Sequence, residues 1–229
     1  MAAAPRRRDR PPGRVAGPPG ERLILTLLHE EDELVAVDKP PGLASTGRDL
    51  DDRDCVQWQL GDQLGHPVWA VHQLDKETSG VLLFVRHKRQ VADWQKKLKG
   101  GSKVYQCIVH GVPAWERMEV DAPLEKRRRR VRVVGAGNGQ EARTTFKVAT
   151  RGPGHALLEA TLHTGRTHQI RVHLQHLGHP LVGEKVYRDP PCDRHPRQAL
   201  HAWRVAAAGR RIDAPFPMDL RPLRKALGV

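Results

Sequence analysis

Three residue types in this chain, set far apart, can together do chemistry on a charged or polar substrate: a carboxylate, a phenol and a guanidinium. The carboxylate is Asp75, in Val71-His72-Gln73-Leu74-Asp75-Lys76-Glu77-Thr78-Ser79-Gly80, which runs straight into the apolar stretch Val81 to Val85. An unpaired charge is expensive to bury, so a carboxylate at the mouth of an apolar strand is either a solvated turn residue or a functional group held in place. Both readings stay open from the local context. The phenol is Tyr105, in Lys103-Val104-Tyr105, and the guanidinium is Arg171, in the dense stretch His163-Thr-Gly-Arg-Thr-His-Gln-Ile-Arg-Val-His-Leu. A carboxylate beside a guanidinium stays ionised and is oriented by directional hydrogen bonds.

Metal chemistry has a weaker basis. The chain has thirteen histidines, with His168, His173, His176 and His179 close together, but none of them forms the His-Glu-x-x-His pattern that sets two ligands and a base on one helical face. Cys55, Cys107 and Cys192 are odd in number and widely spaced, against both a disulfide framework and a zinc ribbon. No metal and no cofactor is expected.

The elements that must position these groups can be read from periodicity. Leu34 to Val37 is a β-branched run stopped by Asp38-Lys39-Pro40-Pro41-Gly42, a strand followed by a rigid loop. Asp54 to Gly65 carries Val56, Leu60 and Leu64 at helical spacing. His87 to Lys99 puts Val91, Trp94 and Leu98 on one stripe, with lysines in its last turn and Gly100-Gly101 as a stop. Lys103 to Val109 alternates as a strand, with Tyr105 and Cys107 on one face and Val104, Gln106 and Ile108 on the other. Thr144 to Ala149 and Ala156 to Leu162 form a hairpin around Arg151-Gly-Pro-Gly154. Ile170, Leu174 and Leu177 predict a helix that Thr167 caps and Gly178 ends, with Arg171 at the edge of the core. Leu200 to Ala206 and the proline-bounded tail to Leu220 are expected to complete the sheet.

The formal net charge of +13 and a pI near 10.3 point to a polyanionic partner. Glu125 to Val134 holds Lys126, Arg127, Arg128, Arg129 and Arg130 and reads as a basic hairpin; the glycines after it lack the strand-to-helix setting of a phosphate loop. Residues 1–21 are Pro, Arg, Gly and Ala with little to bury, a disordered basic tail ahead of a single domain over residues 22–229. No apolar run is long enough to cross a bilayer and no secretory signal is visible, so a cytoplasmic protein without a membrane partner, and monomeric, is expected.

Taken in order, His72-Gln-Leu-Asp75-Lys-Glu-Thr-Ser-Gly80, Lys103-Val-Tyr105, Thr164-Gly-Arg-Thr-His-Gln-Ile-Arg171-Val-His-Leu, Leu177-Gly-His-Pro180 and Gly183 to Tyr187 resemble the RluA-type family of RNA pseudouridine synthases. Asp38-Lys39-Pro40-Pro41-Gly42-Leu43 resembles that family's Asn-Lys-Pro-x-Gly-Leu, and the likeness extends from about Leu23 to Leu220, in the manner of short members without an S4-like RNA-binding domain. The resemblance implies an α+β fold with a mixed, mainly antiparallel central sheet and flanking helices and loops. It implies that Asp75 is the catalytic carboxylate, that Tyr105 lies against the target base and that Arg171 pairs with the aspartate, with structured RNA, ribosomal or transfer, as partner. Residues expected to contact RNA are His72, Gln73, Lys39, Arg166 and the run Lys126, Arg127, Arg128, Arg129, Arg130. Gln73 stands where the family usually has arginine, and glutamine lacks the planar cation. Two other readings compete: a noncatalytic RNA-binding or assembly protein on the same fold, and a glycoside hydrolase using Asp75 and Glu77.

Overall fold

Val81-Leu-Leu-Phe-Val85 is apolar at every position, so it must be covered on both faces. The computed structural model, whose described residues are 23–48, 52–128 and 130–229, buries it at the centre of a sheet with helices on both sides. In chain order the elements are β1 Thr26–Glu30, β2 Leu34–Lys39, α1 Val56–Leu64, β3 Trp69–Ala70, β4 Ser79–Val85, α2 Val91–Lys99 preceded by a 3-10 turn, β5 Ser102–His110, β6 Arg117–Asp121, β7 Leu124–Arg127, β8 Arg130–Val133, β9 Arg143–Gly152, β10 His155–Leu162, α3 Gln169–His176, β11 Leu200–Ala207, β12 Arg210–Asp213 and α4 Leu220–Leu227.

Among the described residues the main sheet runs β1-β2-β4-β11-β5-β10-β9-β6, with β12 on β11 and β3 on β4. Its pairings are antiparallel except β4 with β11, which run parallel through His201↔Ser79 and Ala202↔Gly80. The expected α+β fold with a mixed, mainly antiparallel sheet is what forms. Alternation divides the core: Val35, Val37, Leu82, Phe84, Tyr105 and Cys107 share one apolar cluster with Val56 and Leu60 of α1 and Ile170 and Leu174 of α3. On the opposite face Leu34, Ala36, Val81 and Leu83 pack with Trp94 and Leu98 of α2, while Ile108 and Leu157 meet Leu220, Leu223 and Leu227 of α4.

Two expectations need correction. Thr167 does not cap α3: the N-cap position is His168, in a left-handed backbone (φ 55°, ψ 21°) with no capping side chain. Gln169 does the local stitching instead, accepting from the Arg166 amide (3.0 Å) and donating to the Arg143 carbonyl (3.0 Å) and the Thr144 hydroxyl (2.9 Å). The tail beyond Ala206 does more than complete the sheet, because it supplies β12 and then α4, whose leucines cover Ile108 and Leu157. The tail expected over residues 1–21 and Arg129 of the basic run lie outside the described residues.

Candidate active site

Asp75 stands in the loop between β3 and β4, which is fixed from several sides. The Ser45 hydroxyl takes both backbone groups of Leu74, donating to its carbonyl and accepting from its amide at 2.9 Å each. The Lys76 carbonyl accepts from the Gly42 amide and the Lys39 ammonium, both at 2.9 Å, and Lys39 also donates to the Pro40 carbonyl at 2.8 Å. Lys-Pro-Pro-Gly is thus a brace under the Asp75 loop. On the other side, Arg197 donates to the Glu77 carbonyl (3.1 Å) and the Ser79 hydroxyl (3.1 Å) while its remaining edge pairs with Asp219 (2.7 and 3.0 Å). Gly80 completes the frame: its φ is +109°, and a Cβ there would run into the Ala202 carbonyl of β11.

From this loop an ion chain runs into the protein. Arg171 Nη1 donates to Asp75 Oδ2 at 3.1 Å, and Arg171 Nε and Nη2 donate to the two Glu184 oxygens at 2.9 and 2.8 Å. Side-chain exposure falls along it, 26% for Asp75, 7% for Arg171 and 1% for Glu184, so the aspartate is the end that a substrate can reach. Burial opposes the charge of both inner partners. Their mutual hydrogen bonds outweigh it, joined for Glu184 by the Val186 and Tyr187 amides, and hold the guanidinium above and the carboxyl below their ordinary pKa values. The Tyr187 ring centroid lies 5.1 Å from the guanidinium, which adds a cation–π contact.

His168 Nε2 is 3.7 Å from Asp75 Oδ1, and its Nδ1 is 2.6 Å from the Tyr187 hydroxyl. Burial keeps its pKa below that of an ordinary histidine, although the Asp75 charge pulls the other way. Tyr105, 7% exposed on β5, lines the same cleft, and among the described residues nothing hydrogen-bonds its hydroxyl. Burial first, and the Asp75 charge second, push its pKa up, so it stays a phenol at neutral pH. The cleft holds about 340 Å³ and brings together Asp75, Tyr105, His168 and Arg171 with Thr78 and Leu200.

The expected RNA-contact residues divide. His72, Gln73 and Arg166 line the cleft. His72 accepts from the Leu83 amide (3.3 Å), and burial lowers its pKa to about 3, so it offers no charge to a phosphate. Gln73 is exposed and donates to the Thr46 hydroxyl at 3.2 Å; Arg166 is exposed, with Nε on the Glu141 carbonyl at 2.9 Å. Lys39 is the correction: it is 0% exposed, its ammonium is committed to two loop carbonyls, and it acts as a brace instead of facing RNA. Lys126, Arg127, Arg128 and Arg130 are exposed on the β7–β8 hairpin, which is anchored beside the site by the Val131 amide donating to the Tyr187 hydroxyl (3.2 Å). Glu77 does not line the Asp75 cleft, which removes the paired-carboxylate geometry a glycoside hydrolase needs. Among the described residues no three His, Cys, Asp or Glu side chains converge as metal ligands.

Sequence reasoning missed Glu184, Arg197, Asp219 and Ser45. Glu184 and Tyr187 do lie in Gly183 to Tyr187, a stretch conspicuous for its resemblance, but their partners are distant in the chain.

A sheet carrying one accessible carboxylate, locked by an internal guanidinium and faced by a buried phenol, defines a site built around a single acting aspartate. Residues 33–176, which include Asp75, Tyr105 and Arg171, match the family model described as RNA pseudouridylate synthase, and the chain belongs to that family. It is 39% identical over 168 residues to an uncharacterized RNA pseudouridine synthase of Chloroflexus aurantiacus, covering 69% of this chain and 52% of that protein. It is 34% identical to ribosomal large subunit pseudouridine synthase D of Nitrosomonas europaea, covering 90% of this chain and 66% of the relative. The chain therefore spans between half and two-thirds of the length of these relatives. Among solved structures, human RNA pseudouridylate synthase domain containing 4 superimposes with a TM-score of 0.72 at 26% identity, covering 87% of this chain and 93% of that one.

Proposed function

We propose that this chain isomerises uridine to pseudouridine in structured RNA, with Asp75 as the acting carboxylate. The observation that carries the reading is the Asp75–Arg171–Glu184 chain opening into a cleft faced by Tyr105. The reaction breaks the bond from ribose C1′ to N1, turns the freed uracil, joins C5 to C1′, and moves the C5 proton away while N1 gains one; nothing is oxidised or reduced. One ionised carboxylate in a fixed pocket suits such a reaction. Arg171 holds Oδ2 and leaves Oδ1 toward the cleft. Tyr105 supplies a ring for the uracil to stack on and a hydroxyl to hydrogen-bond it. Because that phenol keeps its proton, it orients the base and does not serve as the base catalyst for C5.

A uridine inside folded RNA must leave its stack at a cost of a few kcal/mol, which backbone contacts from the exposed cations can offset. The Nitrosomonas relative's name supports ribosomal RNA ahead of transfer RNA as the target, and the reaction is proposed to occur in the cytoplasm. The test is tritium release from RNA labelled at uridine C5, with ribosomal and transfer RNA assayed separately. Asp75→Asn should fold normally and release none. Turnover retained by that variant would remove Asp75 from the chemistry, and RNA binding with no release by the parent protein would favour the noncatalytic reading.

A further inference from the structure

A second cleft of about 630 Å³ borders the uridine pocket and shares His72, Lys103, Leu162, Gly165 and Arg166 with it. Lys99, Lys103, Arg143 and Arg166 line this second cleft, and no aspartate or glutamate does. Three of the four cations are exposed at its rim: Lys99 ends α2, Arg143 begins β9 with Glu119 3.8 Å away, and Arg166 precedes α3. Lys103 differs because it is half-buried, and among the described residues its ammonium has neither an ion pair nor a hydrogen bond. It lies beside Gly165, where an added Cβ would come within 3.5 Å of its Nζ. Burial lowers the Lys103 pKa, as expected of a cation taken partly out of water without a counter-charge. A lysine with a purely structural task would be satisfied by carbonyls, as Lys39 is.

Register makes the two clefts continuous. Lys103 and Tyr105 are two residues apart on β5, hence on one face and roughly 6.6 Å apart along the strand. They pair with Leu162 and Ala160 of β10. The same strand therefore presents a ring to the uridine pocket and an unpaired ammonium to the basic cleft next to it.

We infer that the second cleft is a phosphate track for the RNA strand leaving the uridine pocket, with Lys103 on the phosphate nearest the target nucleotide and Lys99 and Arg143 further along. The inference rests on RNA being the substrate. A strand from which a base has been extruded is unstacked there, and its backbone suits a cationic groove that reads charge and not sequence.

The test uses binding, so that it does not depend on turnover. A fluorescently labelled oligouridylate is titrated against the full chain carrying Asp75→Asn over a series of salt concentrations. Each phosphate contact on a single strand contributes about 0.7 to the slope of log affinity against log salt. Adding Lys103→Gln should flatten the slope by about 0.7 and weaken low-salt binding several-fold. Lys99→Gln with Arg143→Gln, both exposed and safe for folding, should flatten it by about 1.4. Lys225→Gln, on the exposed side of α4, should leave it unchanged. A slope unaltered by both cleft substitutions, or flattened equally by Lys225→Gln, overturns the track. If the predicted slopes appear while no RNA releases tritium, the track stands and the isomerase reading fails; tritium release with unaltered slopes gives the reverse.

Discussion

Glu184→Gln tests the site at its most deeply buried member. Glu184 is 1% exposed and takes two bonds from Arg171 and two from backbone amides. Glutamine is nearly the same size and keeps one acceptor oxygen, so no cavity forms. Its amide nitrogen, however, would confront a guanidinium N–H or a backbone N–H, and the buried guanidinium would retain only Asp75 as counter-charge. Removing one partner of a buried pair costs about 3–5 kcal/mol, and with one oxygen retained the lower end, about 3 kcal/mol, is expected. In a domain of this size roughly 2–4 °C follows each kcal/mol, so the melting temperature should fall by about 6–12 °C. Catalysis should suffer at a temperature where the variant is still folded, because Arg171 is free to move toward Asp75 and the carboxylate loses its fixed orientation. Thermal unfolding followed by circular dichroism, and single-turnover tritium release, measure the two effects. A variant that melts within 2 °C of the parent and turns over at the same rate would show that Glu184 does not hold Arg171 in place.

Other outcomes follow from neighbouring features. The chain has two tyrosines, Tyr105 and Tyr187, and burial raises both pKa values above 10, so a near-ultraviolet titration of the native protein should show no phenolate step centred at pH 10; half-ionisation there with the fold intact would contradict the packing of both rings. Burial raises Asp38 to a pKa of about 6, so its protonated form is favoured by folding and its contribution is lost as pH rises from about 4 through 6. Asp38→Asn should accordingly raise stability at pH 8 by about 1–2 kcal/mol and change little at pH 3, as read by denaturant unfolding. Gly80→Ala should destabilise by more than about 2 kcal/mol, since the left-handed backbone and the Ala202 carbonyl both exclude a methyl group, and a melting curve matching the parent would refute that close approach.

Elements governed by period were legible in the sequence. The alternation of Lys103 to Val109 placed Tyr105 and Cys107 on the face they occupy, and the stripe Val91, Trp94 and Leu98 is the inward side of α2. The stripe of α3 also put Arg171 at the core edge, where it is 6% exposed. What periodicity lacks is the identity of distant partners. Lys39 after a strand has the signature of an exposed cation, and its burial depends on a carbonyl at Lys76 reached only after the loop folds back. Arg197 lies in an irregular stretch with no apolar pattern, and its four-sided set of acceptors assembles from residues 77, 79, 198, 200 and 219. The leucine spacing of α4 was present, but Pro215, Pro217 and Pro222 read as breakers; a proline in the first helical turn is tolerated because its missing N–H has no intrahelical acceptor.

The Arg197 clamp also carries a consequence in time. A ribosome delivers the chain from its N-terminus, and Asp75 is exposed to the cell well before residues 197 and 219 are made. The loop bearing Asp75 takes its final hold on Glu77 and Ser79 only after Arg197 has been synthesised, and Arg197 gains its counter-charge only with Asp219. A nascent chain that already displays its whole N-terminal half therefore lacks the lock on its reactive carboxylate, and competence is conferred by late-made residues that never touch the substrate cleft.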